Sequence, residues 1–282
     1  MIIAQITDLH LGFDGQGNPC KNTKRLRHVI HELNDMKRRP DLVLLTGDLV
    51  ESGADWAYKK LKKELAALEI PHFFALGNHD KRSAFSDVFS EFPLTDGFLQ
   101  YTIEDWPLRI IILDSLKQGR HGGDFCETRA AWLKQTLAQD KTRPTLIALH
   151  HPPIETGIAW MTASKEDEWV KRLRLIVSDY NNIVQIISGH IHRIIFKAFA
   201  GTHVSVSQAV APQVKLELAD IDPELPDDRV LLVDTLAGFS LHHWDGASLT
   251  THHATAPPGR PIVRYDKKHA FVVRTTLDLE KS

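Results

Sequence analysis

Five short clusters combine carboxylates, a carboxamide and imidazoles: Asp8-Leu9-His10, Gly47-Asp48, Gly77-Asn78-His79-Asp80, His150-His151 and Gly189-His190-Ile191-His192. Together Asp8, His10, Asp48, Asn78, His150, His190 and His192 offer oxygen and nitrogen donors and no thiolate. Such a set suits Zn, Mn, Fe or Co at a catalytic centre rather than a closed, cysteine-rich structural site. Seven protein ligands exceed what one catalytic ion needs if positions are left for water. They suit two ions if one carboxylate bridges, and two ions about 3.5–4 Å apart can clamp an in-line displacement. Taken singly, each cluster has a plainer reading. Asp-x-His fits a strand-end turn, and Gly-Asn is an ordinary turn signal.

What lifts the five above that reading is their position. Each follows an apolar run that reads as a strand: Ile2–Ile6, Asp41–Thr46, His72–Leu76, Thr145–Leu149 and Ile183–Ile187. Between the first runs, Leu26, Val29, Ile30, Leu33 and Met36, then Tyr58, Leu61, Leu65 and Leu68, keep the three-and-four spacing of amphipathic helices. Strand-helix-strand alternation with near-continuous apolar strands argues for parallel βαβ units. In an open parallel sheet, groups beyond the carboxyl ends of the strands converge on one crevice. Further on, Tyr101–Ile103 and Arg109–Leu113 read as a strand pair, and Thr128 as the cap of a helix carrying Trp132, Leu133 and Leu137. Ser164 with Asp167 resembles a capping box before Trp169, Val170, Leu173, Ile176 and Val177. From Ile194 the texture is short β segments, with an acidic stretch, Lys215 to Asp228, expected as a solvated loop.

Composition narrows the function classes. The chain has 282 residues, 34 basic and 36 acidic side chains, 16 histidines and 2 cysteines. A formal charge of -2 and the lack of a Lys/Arg run count against a nucleic-acid-polymer partner, because phosphate-backbone affinity needs a basic surface. Cys20 and Cys126 are too few for a disulfide framework, which points to a reducing compartment. Met1 to Asp8 lacks the pattern of a signal peptide, and no 18-residue apolar run exists. The expectation is a cytoplasmic protein without a membrane partner. Residues 1–253 are expected to form one catalytic domain. Residues 254–282, with Pro257, Pro258 and Pro261, are expected as an extended tail that packs on the core or on a second subunit of a homo-oligomer.

The order and context of the five clusters, over about residues 1–200, resemble the calcineurin-like metallophosphoesterase superfamily. Within it, Thr7-Asp8-Leu9-His10-Leu11, Asp114-Ser115 and His150-His151-Pro152-Pro153 resemble the class III cyclic-nucleotide phosphodiesterases and the related glycerophosphodiesterases. The resemblance implies an α/β fold: a β-sandwich flanked by helices on both sides (αββα), with a dinuclear metal site at the C-terminal ends of the strands. It implies one ion held by Asp8, His10, Asp48 and His192, and a second by Asp48, Asn78, His150 and His190. Asp48 would bridge them. The ions would be divalent or mixed-valence transition metals, Fe or Mn ahead of Zn or Co, and a hydroxide shared between them would attack phosphorus. His79 would bind a phosphoryl oxygen or protonate the leaving alkoxide, with Asp48, Asn78, His10 and His192 also at the substrate. Asp80 is expected as a partner of His79 or a turn residue, and His151 as a support for the ligands.

Phosphoprotein phosphatases of this superfamily carry Gly-Asp-x-x-Asp-Arg-Gly at the bridging Asp, with an Arg that grips a dianionic phosphate. Here the run is Gly47-Asp48-Leu49-Val50-Glu51-Ser52-Gly53, without that Arg. A diester carries one charge and needs less cationic grip, so a small phosphodiester is the expected substrate. A 3',5'-cyclic nucleotide, cyclic AMP or cyclic GMP, stands ahead of a glycerophosphodiester, since Ala211-Pro212-Gln213 offers no histidine in the Gln208–Val214 stretch. Loops Gly12–Cys20 and Gly119–Asp124, with Phe13 and His121, are candidates for the pocket wall. A binding scaffold of the same fold predicts eroded ligands, and all seven are present; a nuclease sits badly with the charge balance. The pairs His242-His243 and His252-His253 flank a turn, where one histidine of each pair could meet the other across a hairpin. Exposed strand residues are the simpler expectation there.

Overall fold

An apolar strand such as Leu42–Thr46, buried at every residue, is stable only if both its faces are covered. The computed structural model, which describes residues 1–16 and 20–277, supplies that cover in four layers. In chain order the elements are β1 (Ile2–Ile6), α1 (Lys21–Asp35), β2 (Leu42–Thr46), α2 (Asp55–Leu65), β3 (His72–Ala75), α3 (Arg82–Val88), β4 (Tyr101–Ile103), β5 (Arg109–Ile112) and α4 (Glu127–Gln139). They continue as β6 (Thr145–Ala148), α5 (Glu168–Val177), β7 (Ile183–Ser188), β8 (Ile195–Phe199), β9 (Thr202–Val206), β10 (Gln213–Val214), β11 (Leu232–Val233), β12 (Ala237–Trp244), β13 (Leu249–Ala256) and α6 (Ala270–Thr276).

One sheet has the order β13-β12-β1-β2-β3, and the other β4-β5-β6-β7-β9-β8. The centre of each is parallel: β1 with β2 and β2 with β3, then β5, β6, β7 and β9 in succession. Alternation along the strands divides the apolar side chains between layers. Leu42 and Leu44 enter the core between the sheets with Ile110, Ile112, Leu146 and Ile187, while Val43 and Leu45 face the helix layer of α1 and α2. Ile111 and Ile147 face α4 and α5 through a third core. Burying each such side chain is worth about 1.5–3 kcal/mol relative to exposure. The expected sandwich with helices on both sides is the observed architecture.

Local details differ from expectation where short elements or turns decide. Helix α3 buries only Ala84 and Phe85, too little apolar pattern to be read in advance. The Ser164–Asp167 pair does not open α5: the Asp167 carboxylate accepts the Ser164 N–H at 3.0 Å, and the helix starts at Glu168. Strand β13 runs to Ala256, three residues beyond the expected end of the domain at 253, because it pairs with β12 as far as Ala237. The tail beyond it is not extended throughout, since Ala270–Thr276 is helical; residues 278–282 of the expected tail lie outside the described residues. His242 is fully buried rather than exposed. The register sets Thr251 opposite His242 and Ser240 opposite His253, so no histidine of one pair stands directly opposite one of the other, and His253 is a diagonal neighbour of His242. Among the described residues no helix is long and apolar enough to cross a membrane.

Candidate metal centre

Beyond the ends of the parallel strands the backbone turns left-handed at five non-glycine residues: Asp8 (φ 54°), His10 (44°), Asp48 (47°), His190 (72°) and His192 (54°). Such conformations cost on the order of 1–3 kcal/mol each and persist only when the surroundings impose them. Cross-links between the loops do so. The Asp8 N–H donates to the Gly47 carbonyl at 3.0 Å, His10 N–H to Asp48 at 3.0 Å, and Gly189 N–H to His150 at 3.1 Å. Two glycines let the loops close. A Cβ on Gly47 (φ 97°) would stand 2.4 Å from His150 Nδ1, and one on Gly189 would stand 1.9 Å from Thr7 Oγ1.

The side chains delivered there pose an electrostatic problem. His150 Nδ1 donates to the Thr46 carbonyl at 2.8 Å, which leaves a lone pair on Nε2. That lone pair sits 3.2 Å from Asn78 Oδ1 and 3.3 Å from Asp48 Oδ2. His192 Nδ1 donates to the Pro212 carbonyl at 2.7 Å, aiming Nε2 at Asp8 Oδ1, 3.3 Å away. His10 Nδ1 meets Glu51 Oε2 at 2.7 Å, and its Nε2 lies 3.2 Å from His192 Nε2 and 3.6 Å from Asp48 Oδ2. Acceptors thus converge on acceptors in a buried space, an arrangement that cations reconcile. The donor set fits metal ions.

The grouping of donors supports more than one ion. Asp8, His10 and His192 bring ligand atoms within 4.8 Å of one another, and so do Asp8, Asp48 and His150. Asp48 Oδ2 lies between His10 and His150 and reaches toward both groups. The His190 backbone N–H donates to both Asp8 carboxylate oxygens, at 3.1 and 3.0 Å, while its ring packs 5.1 Å from that of His150. His151 also lies near His150 and His190, but Ser115 Oγ (2.9 Å) and the His121 carbonyl (3.1 Å) occupy its two nitrogens. It supports the site without a free ligand atom.

Electrostatics follow the same geometry. Burial pushes the Asp48 carboxyl up, but His150, His10 and His79 outweigh it and hold it well below the usual range. Burial pulls His150 down, yet Asp48 and Asp8 raise it to about 9, so without an ion a proton on Nε2 answers the same carboxylates at neutral pH. Asp8 is held low by His192 and His150 against the effect of burial. His190 is driven well down by burial and by the neighbouring histidines, so its nitrogens keep lone pairs.

His79 stands beside this group. Its backbone N–H donates to Asp48 Oδ1 at 2.8 Å, its Nδ1 to the Glu51 carbonyl at 2.8 Å, and its ring meets His10 edge-on at 4.6 Å. Asp80 is not its partner. Its carboxylate takes the Gly77 N–H (2.9 Å), the Leu49 N–H (3.2 Å) and the Tyr58 hydroxyl (2.9 Å), clamping the loops after β2 and β3 together. Burial and the nearby Asp48 push it up to about 7.

Glu51, Tyr58 and the carbonyls of Thr46 and Pro212 escaped the sequence reading. Their contribution is a contact across loops, and nothing in the sequence marks it. The Gln208–Val214 stretch does reach the site: Val210 and Ala211 donate to the Thr7 and Asp8 carbonyls, both at 3.0 Å. A cavity of about 190 Å³ over the ligands is lined by His10, Asp48, His79, Phe13, Trp160 and Pro212 among others. A neighbouring cleft of about 690 Å³ shares His121, Trp160 and His190 with it. Phe13 and His121 thus stand where the two loops were expected to contribute; residues 17–19 of the first loop lie outside the described residues.

Comparison with known proteins agrees with this architecture. A structure described as a dimetal phosphatase from Danio rerio matches with a TM-score of 0.64 at 14% identity, covering 89% of this chain and 98% of the other. That identity speaks for the fold alone. In sequence, a probable glycerophosphodiester phosphodiesterase of Arcobacter nitrofigilis is 30% identical over 89% of this chain and 92% of its own length. A probable cyclic nucleotide phosphodiesterase of Synechococcus is 34% identical over 79% of this chain and 84% of its own. The family model for calcineurin-like phosphoesterases matches residues 1–193, the span that contains all five ligand clusters, and the chain belongs to that family.

Proposed function

We propose that this chain hydrolyses a small phosphodiester, with a 3',5'-cyclic nucleotide as the foremost substrate and the nucleoside monophosphate as product. The observation that carries the diester reading is the charge around the cavity over the ligands. Among the described residues its lining includes Glu51 and no Lys or Arg, the cations Lys117, Arg120 and Arg172 lying in the neighbouring cleft. Glu51 Oε1 stands 3.7 Å from His79 Nδ1. Beyond the proposed ions, a dianionic monoester would find no Lys or Arg there to match its second charge, whereas a diester brings a single negative charge.

Two transition-metal ions, Fe or Mn ahead of Zn or Co, would be held by Asp8, His10, Asp48 and His192 on one side and Asp48, Asn78, His150 and His190 on the other. Bound there, they would supply an activated water and neutralise charge on the phosphoryl oxygens. The protein's own groups do the rest. Nδ1 of His79 is fixed on the Glu51 carbonyl, which turns Nε2 toward the cavity. In its imidazolium form His79 donates a proton to the departing alkoxide. The cleft with Trp160 and His121 gives the nucleoside part of such a substrate an aromatic wall and room outside the ligand cavity.

A glycerophosphodiester is the second reading, supported by the Arcobacter relative, whose likeness runs over 89% of this chain. Rates on bis-p-nitrophenyl phosphate and p-nitrophenyl phosphate, then on cyclic AMP, cyclic GMP and glycerophosphocholine under each reconstituted ion, test both levels. A preference for the monoester overturns the diester reading. Faster turnover of glycerophosphocholine than of either cyclic nucleotide replaces the first substrate by the second.

A further inference from the structure

The cleft beside the ligand cavity carries positive charge that a cyclic nucleotide, with its one phosphate over the ligands, leaves unused. Two of its cations, Lys117 and Arg120, sit on one turn, where the Arg120 N–H donates to the Lys117 carbonyl at 2.9 Å. Both side chains are exposed, and among the described residues neither makes a hydrogen bond or an ion pair. The carboxylates that line the cleft are already engaged. Arg129 holds Asp124 at 2.6 Å, Arg172 holds Glu127 at 2.7 Å, Lys171 stands 3.4 Å from Glu168, and Asp167 takes the Ser164 N–H at 3.0 Å. The turn itself is fixed from both sides. Arg82 and Arg129 donate to the Leu116 carbonyl at 2.7 and 3.2 Å, and His151 Nε2 donates to the His121 carbonyl at 3.1 Å. Gly123 permits that close approach, since a Cβ there would stand 2.8 Å from the Cβ of His151. His121, the residue after Arg120, packs its ring 4.7 Å from that of His190. Two free cations are thus carried on a held turn, one residue from a ring that touches the donor cluster.

We propose that this cleft takes the phosphate-bearing nucleotide of a linear, 5'-phosphorylated dinucleotide such as pApA, which the chain cleaves to two nucleoside 5'-monophosphates. The inference rests on the phosphodiesterase reading above. The internucleotide phosphate, with a single negative charge, lies over the ligands, where the lining has no Lys or Arg. The terminal phosphate, with a charge of about -1.5 to -2 near neutral pH, meets Lys117 and Arg120. Charge-assisted hydrogen bonds of this kind are about twice as strong as neutral ones. Half-buried Trp160 lines both the cavity and the cleft and offers a base a face to stack on. Water adds across the P–O3' bond. Its oxygen joins phosphorus, O3' leaves with the proton that His79 donates, and the proton released by the water restores His79 through solvent.

Rates on pApA and on ApA, which lacks the terminal phosphate, test the activity in the metal-loaded enzyme. The kcat/KM for pApA should exceed that for ApA at least about tenfold, chiefly through KM, and the ratio should shrink as salt rises toward about 1 M. Lys117→Ala with Arg120→Ala should bring the two rates together, whereas Lys59→Ala with Lys63→Ala, at exposed positions of α2, should preserve the preference. Equal rates in the wild type or a preference that survives loss of Lys117 and Arg120 overturns the proposal. So does failure to cleave pApA by an enzyme that hydrolyses bis-p-nitrophenyl phosphate. An enzyme inactive on every diester overturns the phosphodiesterase reading instead, and calorimetric titration then reads the cleft by itself. There pApA should bind at least about tenfold more tightly than ApA, and the gap should close in the variant lacking Lys117 and Arg120. Equal binding overturns the site as well.

Discussion

His10, His150 and His192 on one side, and His242 on the other, are the same residue type in equally buried places, and they do opposite things. The first three lie beyond strand ends, His10 and His192 on strained backbone, each with one nitrogen fixed by an oxygen acceptor and the other aimed at carboxylates or another imidazole. His242 lies within β12, and both its nitrogens are satisfied: Nδ1 by the Thr251 hydroxyl at 2.8 Å and Nε2 by Gln5 Oε1 at 3.1 Å. Burial and His253 hold it neutral, down to about 3. A ring nitrogen turned on a carboxylate is what a cation site requires; a ring with both nitrogens satisfied between two sheets is structural.

Asp48→Ala is the strongest way to test the contrast. It removes the oxygen between the two donor groups, and metal content and diester turnover should both fall, turnover by more than about a thousandfold. A variant that keeps its metal and its rate would remove Asp48 from the centre. His79→Ala should divide these effects, keeping the metal while lowering kcat by about 10²–10⁴-fold; metal analysis beside steady-state kinetics reads both. Glu51→Gln changes the partner of the outer nitrogen of His10 and the carboxylate 3.7 Å from His79. It should weaken metal affinity by about 10–100-fold, measured by chelator competition.

The structural histidine should answer differently. His242→Ala should leave metal content unchanged and cost about 1–3 kcal/mol of stability, since Gln5 Oε1 loses its donor. Its pKa in the fold lies below the value of about 6.5 in the unfolded chain. The stabilisation from a neutral His242 is therefore full above that pH and is lost as pH falls from about 6.5 toward 3. Urea midpoints at pH 7.5 and 5 should show the gap between wild type and variant narrowing on acidification. A constant gap would mean that His242 does not titrate with unfolding. His252→Ala, an exposed change on β13, should stay within about 0.5 kcal/mol of wild type.

Much of the centre was legible because strand ends are. A run such as Leu42–Thr46 announces a doubly buried strand, and a Gly-Asp directly after it must lie at its carboxyl end. Repeated five times, that logic places Asp8, Asp48, Asn78, His150 and His190 together without coordinates. It succeeds only in part at Asp80, expected as a partner of His79 or a turn residue, which closes the turn back to Gly77 and does not touch His79. In the fold it is a clamp between loops that are 30 residues apart in sequence. It fails at His242, because alternation along β12 reports two faces without saying which one a second sheet will cover.

The order of strands, helices and donor residues is thus set by the sequence alone, since periodicity and residue chemistry are local properties. Which nitrogen each histidine turns inward, that Glu51 and the Thr46 and Pro212 carbonyls hold those rings, and that Gly47 and Gly189 leave space for His150 and Thr7 belong to the tertiary structure. These are contacts between loops far apart in sequence, and only the packing of two sheets brings them within hydrogen-bonding distance.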